Sequence, residues 1–180
     1  MKENIQQFEK IQNQRVIVDT NILVYCGNKD FGYQAKTLLR TLKNGSNDLA
    51  VSHASCFELI KNARDQKIRD YYFSLIKYLH NIPITEEIIK DSYILYHTYL
   101  DRNVQDAKKI ESFDLIISGT MIYHKSALLL TANRRDFPMP FWRNKAQGYF
   151  MYKDGESYKL INLFLLEFDY NQMKMKQEKI

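Results

Sequence analysis

Short apolar runs that stop at polar turns alternate with longer stretches of helical spacing along this chain of 180 residues. Val16-Ile17-Val18 meets the polar Asp19-Thr20-Asn21 before Ile22-Leu23-Val24-Tyr25 resumes the apolar pattern. A continuous apolar run bounded by a turn predicts a strand buried on both faces. Leu49-Ala50-Val51 and Ala127-Leu128-Leu129-Leu130-Thr131 read the same way. Between these runs, Ala35, Leu38, Leu39 and Leu42 recur at helical spacing within 33–43 and stop at Asn44-Gly45. Ser52 or Ser55 predicts the cap of a helix carrying Cys56, Phe57, Leu59, Ile60 and Ala63. Further helices are predicted over 69–80, from Thr85-Glu86-Glu87 to about Leu100, and from Phe113 to Tyr123. Ile82-Pro83-Ile84 reads as extended, and 101–110 as a polar linker.

Strands alternating with helices, without repeats, predict one α/β domain built on a central parallel β-sheet flanked by helices. Residues 1–14 are polar and rich in Gln and Asn, which predicts an N-terminal arm or a short leading helix. Residues 15–145 carry the alternating pattern, and 146–180 form a C-terminal extension packed on the domain. In that extension, Asp154-Gly155 between Tyr149–Tyr152 and Tyr158–Ile161 predicts a hairpin, followed over 171–180 by a Lys-rich frayed helix or tail.

An apolar content of 45% excludes wholesale disorder. Lys and Arg number 26 against 21 Asp and Glu, a net charge of +5 that permits an anionic partner without requiring one. Cys26 and Cys56 are too few for a disulfide framework, so reduced thiols and a cytoplasmic location are expected. His53, His80, His97 and His124 are scattered and no CxxC is present, so no zinc pattern appears. The polar, charged start does not read as a signal peptide. No apolar run approaches the ~18 residues of a membrane span.

Composition therefore says little, and the placement of the acids says more. Asp19 directly follows an apolar run, Glu58 lies between Cys56-Phe57 and Leu59-Ile60, and Asp114 lies between Phe113 and Leu115-Ile116-Ile117. Asp136 follows the end of the last predicted parallel strand. In an open parallel sheet, the carboxyl ends of the strands line the crevice where ligands bind, and these four acids all map to that edge. Carboxylates brought together repel unless a cation neutralises them, and a set of oxygen ligands without Cys or His selects Mg²⁺ or Mn²⁺. Each acid also has an ordinary explanation. Ser55 and Glu58 fit a capping box, Asp114 a helix-dipole partner, Asp19 a helix cap and Asp136 a turn brace. Asp48, Asp70, Asp91 and Glu167 also abut apolar residues, so order and context must decide.

The ordered segments are Val16-Ile17-Val18-Asp19-Thr20-Asn21-Ile22-Leu23, Ser52-His53-Ala54-Ser55-Cys56-Phe57-Glu58-Leu59, Phe113-Asp114-Leu115-Ile116-Ile117-Ser118-Gly119-Thr120 and Leu129-Leu130-Thr131-Ala132-Asn133-Arg134-Arg135-Asp136-Phe137. Together the chain resembles the PIN-domain family of metal-dependent ribonucleases over roughly 16–142. The resemblance implies a PIN-like catalytic domain over 15–145 in which Asp19, Glu58, Asp114 and Asp136 are the catalytic acids. They would hold Mg²⁺ or Mn²⁺, with Glu58 ligating directly or positioning water. Thr20, Asn21, Ser118, Thr131 and Asn133 would be supporting polar residues. Ser118-Gly119 stands where the family commonly has two alanines.

The implied activity is endonucleolytic hydrolysis of RNA phosphodiester bonds. The small size extends the resemblance to toxins of VapBC-like type II toxin–antitoxin pairs, with a small antitoxin protein as partner and a homodimer as assembly. An acidic site needs cations elsewhere to attract RNA. Lys61, Arg64, Lys67 and Arg69 form one candidate cluster, and Arg134, Arg135, Arg143 and Lys145 another. Both also read as solvated faces. Tyr71-Tyr72 and Trp142 read as base-stacking platforms or, at their spacing, as core. Two other functions stand beside this one. A PIN-like module that binds RNA or protein without cutting retains the same acids. A HAD-type phosphatase needs Asp-x-Asp after its first strand, and here the second position is Asn21.

Overall fold

The computed structural model describes residues 2–105 and 107–174. At its centre lies β2 (Arg15–Val18), whose Val16, Ile17 and Val18 have no solvent exposure. β3 (Asp48–Ser52) and β5 (Leu128–Thr131) pair with it in parallel on either side, and β4 (His80–Ile82) pairs in parallel with β3. Alternation along these strands sorts the side chains onto two faces. Val16, Val18, Leu49, Val51, Leu128 and Leu130 enter one core, and Ile17, Ala50 and Leu129 the other.

The first face is covered by α1 (Thr20–Cys26), α2 (Gly32–Asn44) and α4 (Gln66–Ile76) through Leu23, Leu38, Leu42, Tyr72 and Ile76. The second is covered by α5 (Glu86–Asp101) and α6 (Ser112–Tyr123) through Leu95, Tyr99, Ile117 and Met121. α3 (His53–Asn62) serves both, giving Leu59 to the first core and Ala54 to the second. Each such side chain stabilises the fold by roughly 1.5–3 kcal/mol when fully buried. α5 and α6 approach closely at Gly119, where a methyl group would overlap Ser92 Oγ and the Ile88 carbonyl. That contact explains why the second small residue of Ser118-Gly119 is glycine.

The predicted parallel sheet is the core of a larger mixed one. β6 (Trp142–Asp154) and β7 (Ser157–Phe168) form the predicted hairpin, but β7 pairs antiparallel with β5. The hairpin is therefore part of the sheet, and position 145 falls inside β6. The N-terminal segment differs from a free arm. Lys2–Asn4 form β1, antiparallel to β6, and a short 3₁₀ turn over Phe8–Lys10 buries Phe8 completely. The strand order is β1-β6-β7-β5-β2-β3-β4. Lys-Glu-Asn carries no apolar alternation, and what places it is backbone pairing with a partner about 145 residues away.

Two helix limits also differ from expectation. α4 spans Gln66–Ile76, because Asp65 Oδ1 accepts from the Ile68 amide and starts it early, while His80 belongs to β4. The Asn81 side-chain Nδ2 donates to the Leu79 carbonyl beyond the helix end. The tail yields one turn, α7 (Asn171–Lys174), and its last six residues lie outside the described set. Cys26 and Cys56 are free thiols. Among the described residues no helix is long and apolar enough to cross a membrane.

Candidate active site

β2 and β5 are adjacent and parallel, so the residues leaving their carboxyl ends become neighbours. Asp19 leaves β2 and donates its amide to the Leu130 carbonyl at 3.0 Å. Its carboxylate caps α1 by accepting from the Thr20 amide at 2.6 Å, accepts from the Thr131 hydroxyl at 2.6 Å, and accepts from the Asn21 amide nitrogen. Asn21 spans the two strands, since its carbonyl accepts from the Ala132 amide at 3.0 Å. Thr131 Oγ1 in turn accepts from the Asn133 amide at 2.9 Å, and the Asn133 side chain donates to Asp136. Asp19 and Asp136 are thus held by one polar chain crossing the strand ends. The helix-cap and turn-brace roles of these two acids coexist with their place in the site.

The other acids arrive from helices. α3 is capped by Ser52, whose Oγ accepts from the Ala54 amide, so a Ser55–Glu58 capping box does not form. Glu58 projects from the middle of α3. Asp114 lies in the first turn of α6, which leads into β5 and so begins at the carboxyl edge of the sheet.

All four converge on one cleft of about 480 Å³, which Asn21, Thr20 and Asn133 also line. Ser118 is buried in α6 and is not part of the lining. Glu111, Asn62 and Tyr25 also line the cleft and escape the motif pattern. A signal existed for two of them. Glu111 is three residues before Asp114, and Asn62 four after Glu58, spacings that place side chains on a shared helix face.

Burial raises the Asp19 carboxyl to about 6, with the Glu58 charge adding to it and the three hydrogen bonds opposing it. Asp114 rises to about 8, first by burial and then by the charges of Asp19, Asp136, Glu58 and Glu111. Such a site holds protons at neutral pH unless another cation takes their place. Thr20 Oγ1, on the cleft wall, is buried and has no hydrogen-bond partner among the described residues. Among the described residues, no three Asp, Glu, His or Cys side chains stand pre-assembled around one metal position. An all-oxygen donor set still fits Mg²⁺ or Mn²⁺, because Mg²⁺ keeps several waters and carboxylates can hold it through those waters as well as directly.

The basic candidates separate. Arg135 is 82% exposed at the cleft, with Asp136 Oδ1 3.7 Å from its Nε. Lys61 stands over the Phe113 ring at 6.0 Å, and Arg64 is exposed. Arg134 is committed to the fold, donating to the Trp142 carbonyl at 2.8 Å. Arg143 pairs with Asp169, and Lys145 with Glu167 at 3.2 Å. Trp142 is fully buried and donates to the Tyr99 hydroxyl at 2.8 Å, which makes it core.

The family model described as PIN domain matches residues 16–138, a span that starts in β2 and contains every acid of the cleft. The chain belongs to the PIN-domain family. No curated protein matches it. Solved structures similar to this PIN domain include VapBC2 from Rickettsia felis bound to a promoter DNA fragment, at 21% identity and a TM-score of 0.58. That match covers 69% of this chain and 91% of the other. A toxin–antitoxin complex from Klebsiella pneumoniae matches at 23% identity and a TM-score of 0.53, covering 69% and 92%. DNA-bound VapBC from Salmonella typhimurium matches at 17% identity and a TM-score of 0.53, covering 71% and 93%. At these identities the likeness is one of fold.

Proposed function

We propose that this PIN-domain protein is a metal-dependent endoribonuclease that hydrolyses RNA phosphodiester bonds, with Mg²⁺ or Mn²⁺ as its cofactor. The observation that carries the reading is the gathering of Asp19, Glu58, Asp114 and Asp136 on one cleft, where burial and repulsion raise two of them. Asp19, Asp114 and Asp136 would hold the ion, with Glu58 ligating it directly or positioning water. A bound divalent ion acidifies a water and offsets phosphate charge. The chain's own residues orient these groups. Asn21 and Thr131 fix the Asp19 carboxylate, Asn133 fixes Asp136, Thr20 offers an unpartnered hydroxyl, and Ser118 supports α6 from within. Arg135 at the cleft, with Lys61 and Arg64 after Glu58 in the chain, would be the cations for RNA phosphates, and Arg134 supports its segment through Trp142.

The fold likeness to chains of toxin–antitoxin complexes supports a further reading. The protein acts as the toxin of such a pair, partnered by a small antitoxin protein and assembled as a homodimer in the cytoplasm. The test of the site is cleavage of RNA in Mg²⁺ or Mn²⁺ by wild type, Asp19→Asn and Asp114→Asn. Cleavage by wild type that both substitutions abolish is expected, and undiminished cleavage in both variants overturns the assignment.

One observation favours a second reading, a PIN-like module that binds RNA or protein without cutting. It is the absence, among the described residues, of three acids pre-assembled around one metal position. Failure of the wild-type protein to bind Mn²⁺ at the cleft selects that module over the nuclease.

A further inference from the structure

The wall on one side of the acidic cleft faces a second hollow, for Val24 and Tyr25 line both. Beyond them lies a groove of about 660 Å³ bounded by the end of α1, the turn into α2, α2 itself and α4. Val24, Tyr25, Ile68 and Tyr71 are the apolar lining residues that keep solvent exposure, while Phe31 and Tyr72 are buried. Its charged lining residues are Lys29, Lys36 and Lys67, with no acid among them. In the cleft next door, five acids face Arg135. The sign of the lining charge reverses across Val24 and Tyr25.

The aromatic surface is held in place before anything binds. The Tyr71 hydroxyl donates to the Cys26 carbonyl at 2.7 Å, and Lys36 Nζ lies 5.4 Å from the ring centroid. The ring lies against Gly27, where a methyl group would stand 3.2 Å from Tyr71 Cε1. Tyr25 packs edge-on against Phe31 at 5.2 Å. Phe31 is braced in turn by Phe150 at 6.5 Å and Tyr152 at 4.8 Å, both on β6. β6 lies beyond the span matched by the PIN model, so the C-terminal hairpin props the groove that adjoins the acids.

We propose that this groove is a subsite for single-stranded RNA. It takes unpaired bases against Tyr25 and Tyr71 and the neighbouring phosphates on Lys29, Lys36 and Lys67. The proposal rests on the nuclease reading and extends it by saying where the strand is gripped. Three lysines with no acid in the groove lining, beside the half-buried rings of Tyr25 and Tyr71, match a ligand that alternates phosphates with flat rings. Only an unpaired strand offers its base faces, since those of a duplex are already stacked. Continuity through Val24 and Tyr25 lets one strand lie in both hollows. The lysines then supply the attraction that the acidic cleft, like-charged with RNA, cannot.

Anisotropy of a labelled, mixed-sequence single-stranded RNA, titrated with the full-length protein in EDTA, tests the subsite without cleavage. Tyr71→Leu is expected to weaken binding by roughly 5- to 150-fold, the range of one lost base–aromatic stack. Lys36→Ala with Lys67→Ala is expected to weaken binding and to flatten the log Kd against log salt slope by about 1.4, at about 0.7 per lost phosphate contact. The lysine pair carries the test if Tyr71→Leu does not fold, because neither lysine belongs to the core. Binding within about twofold of wild type and an unchanged salt slope in the lysine pair overturn the subsite. Equal affinity for a duplex of the same length also overturns it, as does a loss confined to binding a protein partner. Mn²⁺-dependent cleavage of the same RNA separates the two claims. Wild-type cutting with groove variants that bind normally removes the subsite and leaves the nuclease. RNA held through the groove but never cut removes the nuclease and leaves the subsite.

Discussion

The acidic cleft and the lysine–tyrosine groove share Val24 and Tyr25, yet they are built from different kinds of contact. In the cleft, backbone geometry does most of the placing. Adjacent parallel strands end side by side, and hydrogen bonds through Asn21, Thr131 and Asn133 fix carboxylates that burial has left short of solvation. In the groove, ring packing does the placing, and the charges sit on flexible stems at the rim. One region concentrates charge in a low-dielectric setting where each carboxylate disturbs the next. The other disperses cations in water, where each acts nearly alone. Chemistry is expected to be intolerant of change in the first region, and affinity to be graded in the second.

The largest contrast follows from Asp114→Asn and Asp19→Asn. Each is expected to reduce RNA cleavage by more than about 100-fold, beyond the ~10–100-fold typical of a group outside a metal's direct ligands. RNA affinity in EDTA near neutral pH should hold in Asp114→Asn, which replaces a carboxyl already protonated, and should hold or improve in Asp19→Asn, which removes a negative charge. Cleavage rates and anisotropy on the same variants check this, and a parallel fall in both would merge the two regions into one.

A scaffold change should affect both regions together. Gly119→Ala puts a methyl group into Ser92 Oγ and the Ile88 carbonyl, and is expected to destabilise the fold by about 1–3 kcal/mol. Urea unfolding followed by circular dichroism measures it, and cleavage and binding should fall only as the folded fraction falls.

The two regions also separate by pH. Asp19 and Asp114 have carboxyls raised in the fold to about 6 and about 8 from 3.8. Their contribution to stability is therefore fully present below about 3.8 and is lost as pH rises through about 6 and then about 8. In EDTA the Tm should fall steadily across that range. Asp114→Asn should flatten the upper part of the fall, whereas Lys67→Ala should leave the whole profile unchanged. The smallest expected change is in Lys67→Ala alone, a salt slope for RNA binding shallower by about 0.7.

What could be read in the sequence follows the same division. The runs at Val16–Val18 and Leu128–Thr131 announce buried strands because their pattern is local, and the acids that follow inherit their position from the strand ends. Asp19, Glu58, Asp114 and Asp136 do meet on one cleft. Glu111 and Asn62 were within reach of the same helical spacing. β1 was not, because Lys-Glu-Asn carries no apolar alternation and pairs with a strand about 145 residues away. Nor was the set Lys29, Lys36 and Lys67, which comes from three segments that meet only after α4 packs beside α1 and α2. Among the basic candidates, solvent exposure and backbone partners separate Arg135 from Arg134, two adjacent residues of the same charge.

The central claim is that the carboxylates of the cleft exist to hold a divalent cation. Calorimetric titration of Mn²⁺ into the metal-free protein near neutral pH tests it most directly. The prediction is one saturable process in the wild-type protein, with a heat that depends on the buffer because Asp114, raised to about 8, must release its proton. Asp114→Asn should abolish both the binding and the buffer dependence. Absence of Mn²⁺ binding in wild type, or the same binding in Asp114→Asn, would contradict the account.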